Sequence, residues 1–452
     1  MILQSFLTFV PAILAGVGLM HLLWRNDALS ALALKVFVGA GAGIGLTSCF
    51  YFLKLLVFSS QGGYLQIQAA CLIVVLLALF SQKRLSLRIQ PGSMSLTRSQ
   101  FLFGLAAILV AVVTFYYSIN FARLAPHGDY DAQAIWNLRA RSIYRLGNAW
   151  EQAFSPLINR NFHMDYPLLI PLSVVGGWNT LGGEVLRVPA VLAIIFLFGL
   201  AGIIYMTTAY LRSSSQASLV VILLLATPGL LLYSTFQTAD VPLTYFFAGS
   251  VSLFILGVNE QNRSLLFLSG IMAGLAAWTK NEGIPFVLIM LFCALLLFGI
   301  RSAKILLTGM AFPLGTVILF KVFVSANNDL FTQNPLSEMM SKLIEPERYL
   351  QILTHLTSEL IRLGDWPISI VVALLAYGAI IGLRKSNTPA ERFSLLIPMS
   401  QFLIYLFIYV ISPRDLEWHL NYSMSRLLMH VFPLALLSSF LLLNTPDTAL
   451  RK

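Results

Sequence analysis

Apolar runs of about 20 residues, separated by short basic gaps, recur along this chain and constrain its fold more than anything else. A helix of that length crosses the ~30 Å hydrocarbon core of a bilayer. Backbone N–H and C=O groups in lipid must be satisfied within the chain, so many such runs in succession mean a bundle of membrane helices. The runs lie near 3–24, 30–58, 64–81, 101–122, 186–211, 217–236, 241–258, 264–279, 284–300, 305–325, 367–383, 393–411 and 426–445, about thirteen predicted spans. Only 11% of residues are charged and 58% are hydrophobic, whereas a soluble domain carries about 25% charged residues. The expected fold class is an all-α polytopic membrane protein. Residues 167–181 are also apolar, but this stretch is short and contains Pro167, Pro171, Gly176 and Gly177. It is expected to be a re-entrant or interfacial helix. The first 24 residues lack a basic n-region and a clear cleavage site, and read as a first span rather than a signal peptide.

The net charge of +10 does not point to nucleic acid, because Lys and Arg sit in the short gaps where the positive-inside rule puts them. Lys83, Arg84, Arg88 and Arg98 mark one gap, Arg301 and Lys304 a second, and Arg384, Lys385 and Arg392 a third; Arg451 and Lys452 close the chain. All fall on one side if 167–181 does not span, and that side is expected to be cytoplasmic. Of the 19 acids, only Asp27, Glu260, Glu391 and Asp447 then share it, and the other 15 face outward. Acids contribute little to topology, so the asymmetry suggests a working outer face, built from loops 123–166 and 326–366 with short turns near 237–240, 280–283 and 412–425. Within the first loop, 131–146 has the spacing of an amphipathic interfacial helix, with Arg139, Arg141 and Arg145 placed for lipid phosphates. Cys49, Cys71 and Cys293 lie inside apolar runs without ligand spacing and read as packing residues. No fixed-period repeat is present.

The outer segments concentrate the chemistry. Asp129 and Asp131 follow a predicted span; a partly desolvated carboxylate there can act as general base on a hydroxyl, and two acids spaced i, i+2 can share a divalent cation. A helix cap would explain one of them but not both. His163 and Asp165 precede Tyr166-Pro167. Asp165 reads either as a functional acid or as the cap of a helix opening at Pro167, and His127 and His163 either as metal ligands or as hydrogen-bonding interfacial residues. Asp240 again reads as a functional acid or a cap. Lys280 and Glu282 interrupt two spans, suited to holding a phosphate or to snorkelling. Arg414, His419 and Arg426 form a last cluster, either a phosphate-binding group or an aromatic and basic belt. A phosphate-cradling glycine loop, a His-Glu-x-x-His motif and a Gly-x-Ser-x-Gly turn are all missing from the sequence.

Taken together, these motifs resemble the GT-C superfamily of polyprenyl-phosphate-sugar-dependent glycosyltransferases, in the bacterial branch related to protein O-mannosyltransferases and aminoarabinose transferases. Gly128-Asp129-Tyr130-Asp131-Ala132-Gln133-Ala134-Ile135-Trp136-Asn137 resembles that family's acidic first outer loop. Asp165-Tyr166-Pro167-Leu168-Leu169 is similar to its Tyr-Pro-Pro-Leu segment, with Leu168 in place of the second Pro. Leu186-Arg187-Val188-Pro189, Ala239-Asp240-Val241-Pro242-Leu243, Trp278-Thr279-Lys280-Asn281-Glu282-Gly283 and Asp415-Leu416-Glu417-Trp418-His419-Leu420 add four further pieces. The likeness covers about 101–445, leaving 1–100 as an N-terminal three-span module and 446–452 as a cytoplasmic tail.

The resemblance implies transfer of a sugar from a polyprenyl phosphate to a hydroxyl on a glycan, lipid or protein, with inversion, at the outer face of a bacterial inner membrane. It implies Asp129 as base with Asp131 second. Asp240 would orient the acceptor or bind a metal, with Asp165 and His163 as further candidates. Lys280, His419, Arg426 and Arg414 would bind the donor phosphate. The mannosyltransferases pair Asp directly with Glu in this loop, and this chain does not. No cofactor is expected beyond a divalent cation at these acids. The rival readings are a transporter or flippase, which would put charge near the midplane, and a polysaccharide polymerase or ligase, which would put its acids in a late outer loop.

Overall fold

The computed structural model describes residues 1–85, 97–155, 163–325, 335–385 and 388–449. Arg88, Arg451 and Lys452, three of the basic topology markers, lie outside these. In chain order the α-helices are α1 (Ile2–Leu7), α2 (Val10–Leu23), α3 (Leu29–Phe58), α4 (Tyr64–Ser81), α5 (Arg98–Leu124), α6 (Asn137–Leu146), α7 (Leu169–Leu181), α8 (Arg187–Leu211), α9 (Ser214–Leu225) and α10 (Pro228–Thr235). There follow α11 (Asp240–Asn259), α12 (Arg263–Thr279), α13 (Gly283–Phe323), α14 (Leu336–Leu343), α15 (Pro346–Ile361), α16 (Ile370–Ile381), α17 (Pro389–Ile411), α18 (Leu416–Leu442) and α19 (Pro446–Ala449). Among the described residues there is no strand, only an isolated bridge between Leu383 and Leu443. The protein is an all-α polytopic membrane protein.

Among the described residues, eight helices are long and apolar enough to cross a bilayer, and up to ten if two bent pairs are each one span. The bent pairs are α9 with α10, at 65°, and α15 with α16, at 79°. Pro228 opens α10 and cannot continue the α9 hydrogen-bond ladder. Three predicted crossings have shortened or broken counterparts: α2 has 14 residues, α16 has 12, and 217–236 is split into α9 and α10, with 12 and 8. The 41-residue α13 is a hairpin. Straight, it would be about 60 Å long, yet Lys321 near its end donates to Asn281 just before its start, at 2.8 Å. The reversal is at Gly299, whose φ of +78° and ψ of 174° are open essentially to glycine alone. α13 therefore accounts for both runs, 284–300 and 305–325.

α7 has 13 residues, too short to span, and is buried from Leu169 to Trp178. The N-terminal helices share the main core: Tyr245 on α11 donates to the Val38 carbonyl on α3 at 2.9 Å, and Trp24 donates to Glu260 at 2.9 Å. By contrast α4 and α5 leave Val74, Leu77, Ile108 and Leu109 exposed, faces suited to lipid contact.

The helix expected over 131–146 forms as a π turn (Ala132–Trp136) followed by α6, but Arg139 turns into the protein instead of toward lipid phosphates. Arg139 is 5% exposed, with its guanidinium over the Phe154 ring and its Nη2 3.0 Å from Met164 Sδ. Arg145 and Arg141 pair with Glu184 at 2.6 and 3.6 Å. A guanidinium satisfied inside the protein avoids the cost of an unpaired charge beside the bilayer.

Candidate functional site

Asp240 lies at the centre of the site. It opens α11, where the positive end of the helix dipole favours a carboxylate, and it is 4% exposed. Its side chain does not cap the helix. Instead, Oδ1 receives Lys280 Nζ at 2.8 Å and His430 Nε2 at 2.7 Å, with Arg426 Nε 3.9 Å away; Oδ2 accepts from the Thr238 hydroxyl at 2.8 Å. Lys280, only 2% exposed, also pairs with Glu282 at 2.9 Å. Burial opposes the Lys280 ammonium, but the charges of Asp240 and Glu282 outweigh it and hold Lys280 above the usual lysine value. Burial likewise pushes Glu282 up, but Lys280 and His430 outweigh it and keep this carboxyl below the usual range. Both groups stay charged across the neutral range.

Arg426 bridges to the first loop through an ion pair with Asp131. The loop is also docked on the turn that carries Asp240. The Asp129 amide donates to the Phe236 carbonyl at 3.3 Å, and buried Asn137 donates to Gln237 at 3.0 Å. Gly128 makes this approach feasible: its φ is +74°, and a Cβ there would lie 2.6 Å from the Phe236 oxygen. Gly128→Ala is therefore expected to cost about 1–2 kcal/mol through backbone conformation alone, read as a lower melting temperature of the detergent-solubilised protein.

A second arm starts at Asn281, beside Lys280. Its side-chain amide donates to Asp165 Oδ2 at 2.5 Å, while Lys321 reaches both Asn281 and Asp165, the latter at 3.6 Å. Asp165 is thus buried in a polar cluster and is not a helix cap. Pro167 stays outside the helix, because α7 starts only at Leu169 and its N-cap position is Leu168. Tyr166 stacks between Trp136, at 5.4 Å, and His163, at 4.7 Å, and lies 5.9 Å from Lys280 Nζ.

Asp131, Asp240, Lys280, Glu282 and Arg426 form one continuous network, with Asp165 joined through Asn281. Asp129 stands two residues from Asp131, partly buried, and among the described residues its carboxylate has no hydrogen bond or ion pair. Other candidates lie apart from the network. His419 Nδ1 contacts the Ser412 hydroxyl at 2.9 Å, Arg414 lies 5.4 Å from the Trp418 ring, and Asp415 caps α18 through the Trp418 amide at 2.8 Å. His127 contacts Arg141 at 3.0 Å, and Arg187 donates to the Ala122 carbonyl at the end of α5. Among the described residues no three His, Cys, Asp or Glu side chains gather to hold a metal. Asp240 Oδ1 already faces an ammonium, an imidazole and a guanidinium, a poor donor set for a divalent cation.

His430, Lys321, Asn281 and Arg139 were not among the expected site residues. For His430 a sequence signal does exist: it lies one helical turn from Arg426, and an ionisable residue inside a span is a functional candidate by default.

Comparison with curated proteins and with solved structures gives no match. Residues 174–326 match the family model described as dolichyl-phosphate-mannose-protein mannosyltransferase. That stretch contributes Asp240, Lys280, Glu282 and Lys321, while Asp131, Arg426 and His430 come from outside it. The match covers about a third of the chain, and it supports a membrane glycosyltransferase of the GT-C type.

Proposed function

We propose that the chain transfers a glycosyl group from a polyprenyl-phosphate donor to a hydroxyl on a glycan, lipid or protein, at the outer face of a bacterial inner membrane. Asp129 takes the acceptor proton, the resulting oxygen attacks the anomeric carbon, and the bond to the donor phosphate breaks with inversion. Arg426, whose side chain is 26% exposed, faces the negative charge that grows on the leaving phosphate. Of the expected phosphate ligands, Lys280 takes a different part: it holds Asp240 and Glu282. His419 and Arg414 stand further out, suited to the donor's approach.

One contrast carries the reading. Two neighbouring acids lie beside a single charge network; Asp131 is tied to Arg426, and Asp129 is left free to accept a proton. The resemblance of 128–137 to the first loop of the family and the match over 174–326 support it.

The test is transfer in membranes containing the chain, supplied with radiolabelled polyprenyl-phosphate sugars. Chain-dependent release of free polyprenyl phosphate, with label passing to an acceptor, is expected. Label that only changes leaflet while remaining on its lipid would make the chain a flippase.

A further inference from the structure

Two helices, α17 and α18, support the surroundings of Asp240, and their spacing is regular. On α18, Arg426 and His430 are four residues apart and so share a face; both turn to Asp240, Arg426 nearer the first loop and His430 deeper. On α17, Gln401 and Tyr405 are also four apart. Gln401 donates to the Glu282 carbonyl at 3.1 Å, and the Tyr405 hydroxyl lies 3.3 Å from His430 Nδ1. Thr244, one turn into α11 from Asp240, donates to the Asp240 carbonyl at 3.0 Å and to the His430 carbonyl at 3.4 Å. α17 and α18 thus hold the 280–282 turn and Asp240 together.

The hydrogen-bond roles follow from chemistry. An ionised carboxylate only accepts, so the proton lies on His430 Nε2. In the neutral ring Nδ1 then accepts, and the Tyr405 hydroxyl donates to it. Tyr405 fixes the tautomer and the ring plane, and the ring fixes Asp240. His430 is fully buried and Tyr405 is 2% exposed, so water does not substitute for either.

We infer that His430, oriented by Tyr405, is a positioning residue: it locks the Asp240 carboxylate in the rotamer that holds Lys280 and Arg426, and so sets where Arg426 stands relative to the leaving phosphate. The inference rests on the transfer reading above. Displacement of a phosphate-facing guanidinium by about 1 Å is enough to cost roughly 10²-fold in rate.

The experiment compares variants expressed at equal level in membranes, with release of polyprenyl phosphate as readout and melting temperature as a check on folding. His430→Leu is expected to lose about 10²-fold in turnover, with donor KM changed less than about threefold. His430→Gln keeps a donor at the Nε2 position and should recover most of the loss; Tyr405→Phe should fall between. In Asp240→Asn the carboxylate that His430 positions is gone, so adding His430→Leu should cost nothing further. Full activity in His430→Leu, failure of His430→Gln to recover, or full additivity with Asp240→Asn would each overturn the assignment. If wild type itself releases no polyprenyl phosphate, the transfer reading fails first. If wild type is active, Asp129→Asn is dead and His430→Leu is unaffected, the transfer reading stands and the positioning role falls.

Discussion

Asp129→Asn is expected to lower sugar transfer by about 10²–10⁴-fold, the usual contribution of a general base, while expression and melting temperature stay within error of wild type. The stability half of this prediction follows from the geometry. Among the described residues the Asp129 carboxylate has no partner to lose, and its amide and carbonyl bonds are backbone. Asp131→Asn should behave differently. It removes the partner of Arg426 and frees a guanidinium beside Asp240, so both donor KM and stability should change along with turnover. If Asp131→Asn is inactive with an unchanged melting temperature and Asp129→Asn is fully active, the base is two residues further along.

Lys280→Met should give the largest loss of stability, about 3–5 kcal/mol, the cost of removing one partner from a buried ion pair. Met fills nearly the same volume, so packing is not the issue. Asp240 and Glu282 lose the ammonium that neutralises both. The pH dependence has a definite sign. In wild type the depressed Glu282 contributes stability that is present above the ordinary carboxylate value, about 4.3, and is lost as pH falls through its lower folded value. The raised Lys280 contributes stability that is present below the ordinary lysine value, about 10.4, and is lost as pH rises through its higher folded value. In Lys280→Met, Glu282 loses its cation and is pushed upward by burial, while Asp240 keeps His430 and Arg426. The deficit against wild type should therefore be largest near neutrality and shrink in acid, as Glu282 protonates. Melting of the purified protein across that range measures it; a deficit independent of pH would mean Lys280 acts through packing rather than charge.

What the sequence displayed and what it concealed divide along physical lines. Length and apolarity announce a span wherever about 20 residues stay greasy, so α3, α5, α8 and α11 were legible. The hairpin in α13 was legible too, because Arg301 and Lys304 mark its turn. Helices shortened or bent inside the protein carry the same composition as spans, so α10 and α16 look like full crossings in the sequence. In the site, Asp131, Asp240, Lys280 and Arg426 stood out because charge at the end of a greasy run is conspicuous. Pairing was not legible: nothing in the order of residues tells that Lys280 meets Asp240 rather than a phosphate, or that Asp165 meets Asn281 rather than capping a helix. His430 and Lys321 sit inside apolar runs, where a single ionisable residue is inconspicuous, and the contacts of Arg139 with Phe154 and Met164 depend on the tertiary fold.

The most direct test of sugar transfer from a lipid phosphate is mass analysis of surface glycans and polyprenyl-linked sugars in cells lacking the chain. One sugar missing from a surface structure, together with accumulation of its polyprenyl-phosphate donor, is the predicted result. Unchanged glycans and an unchanged donor pool would contradict the account.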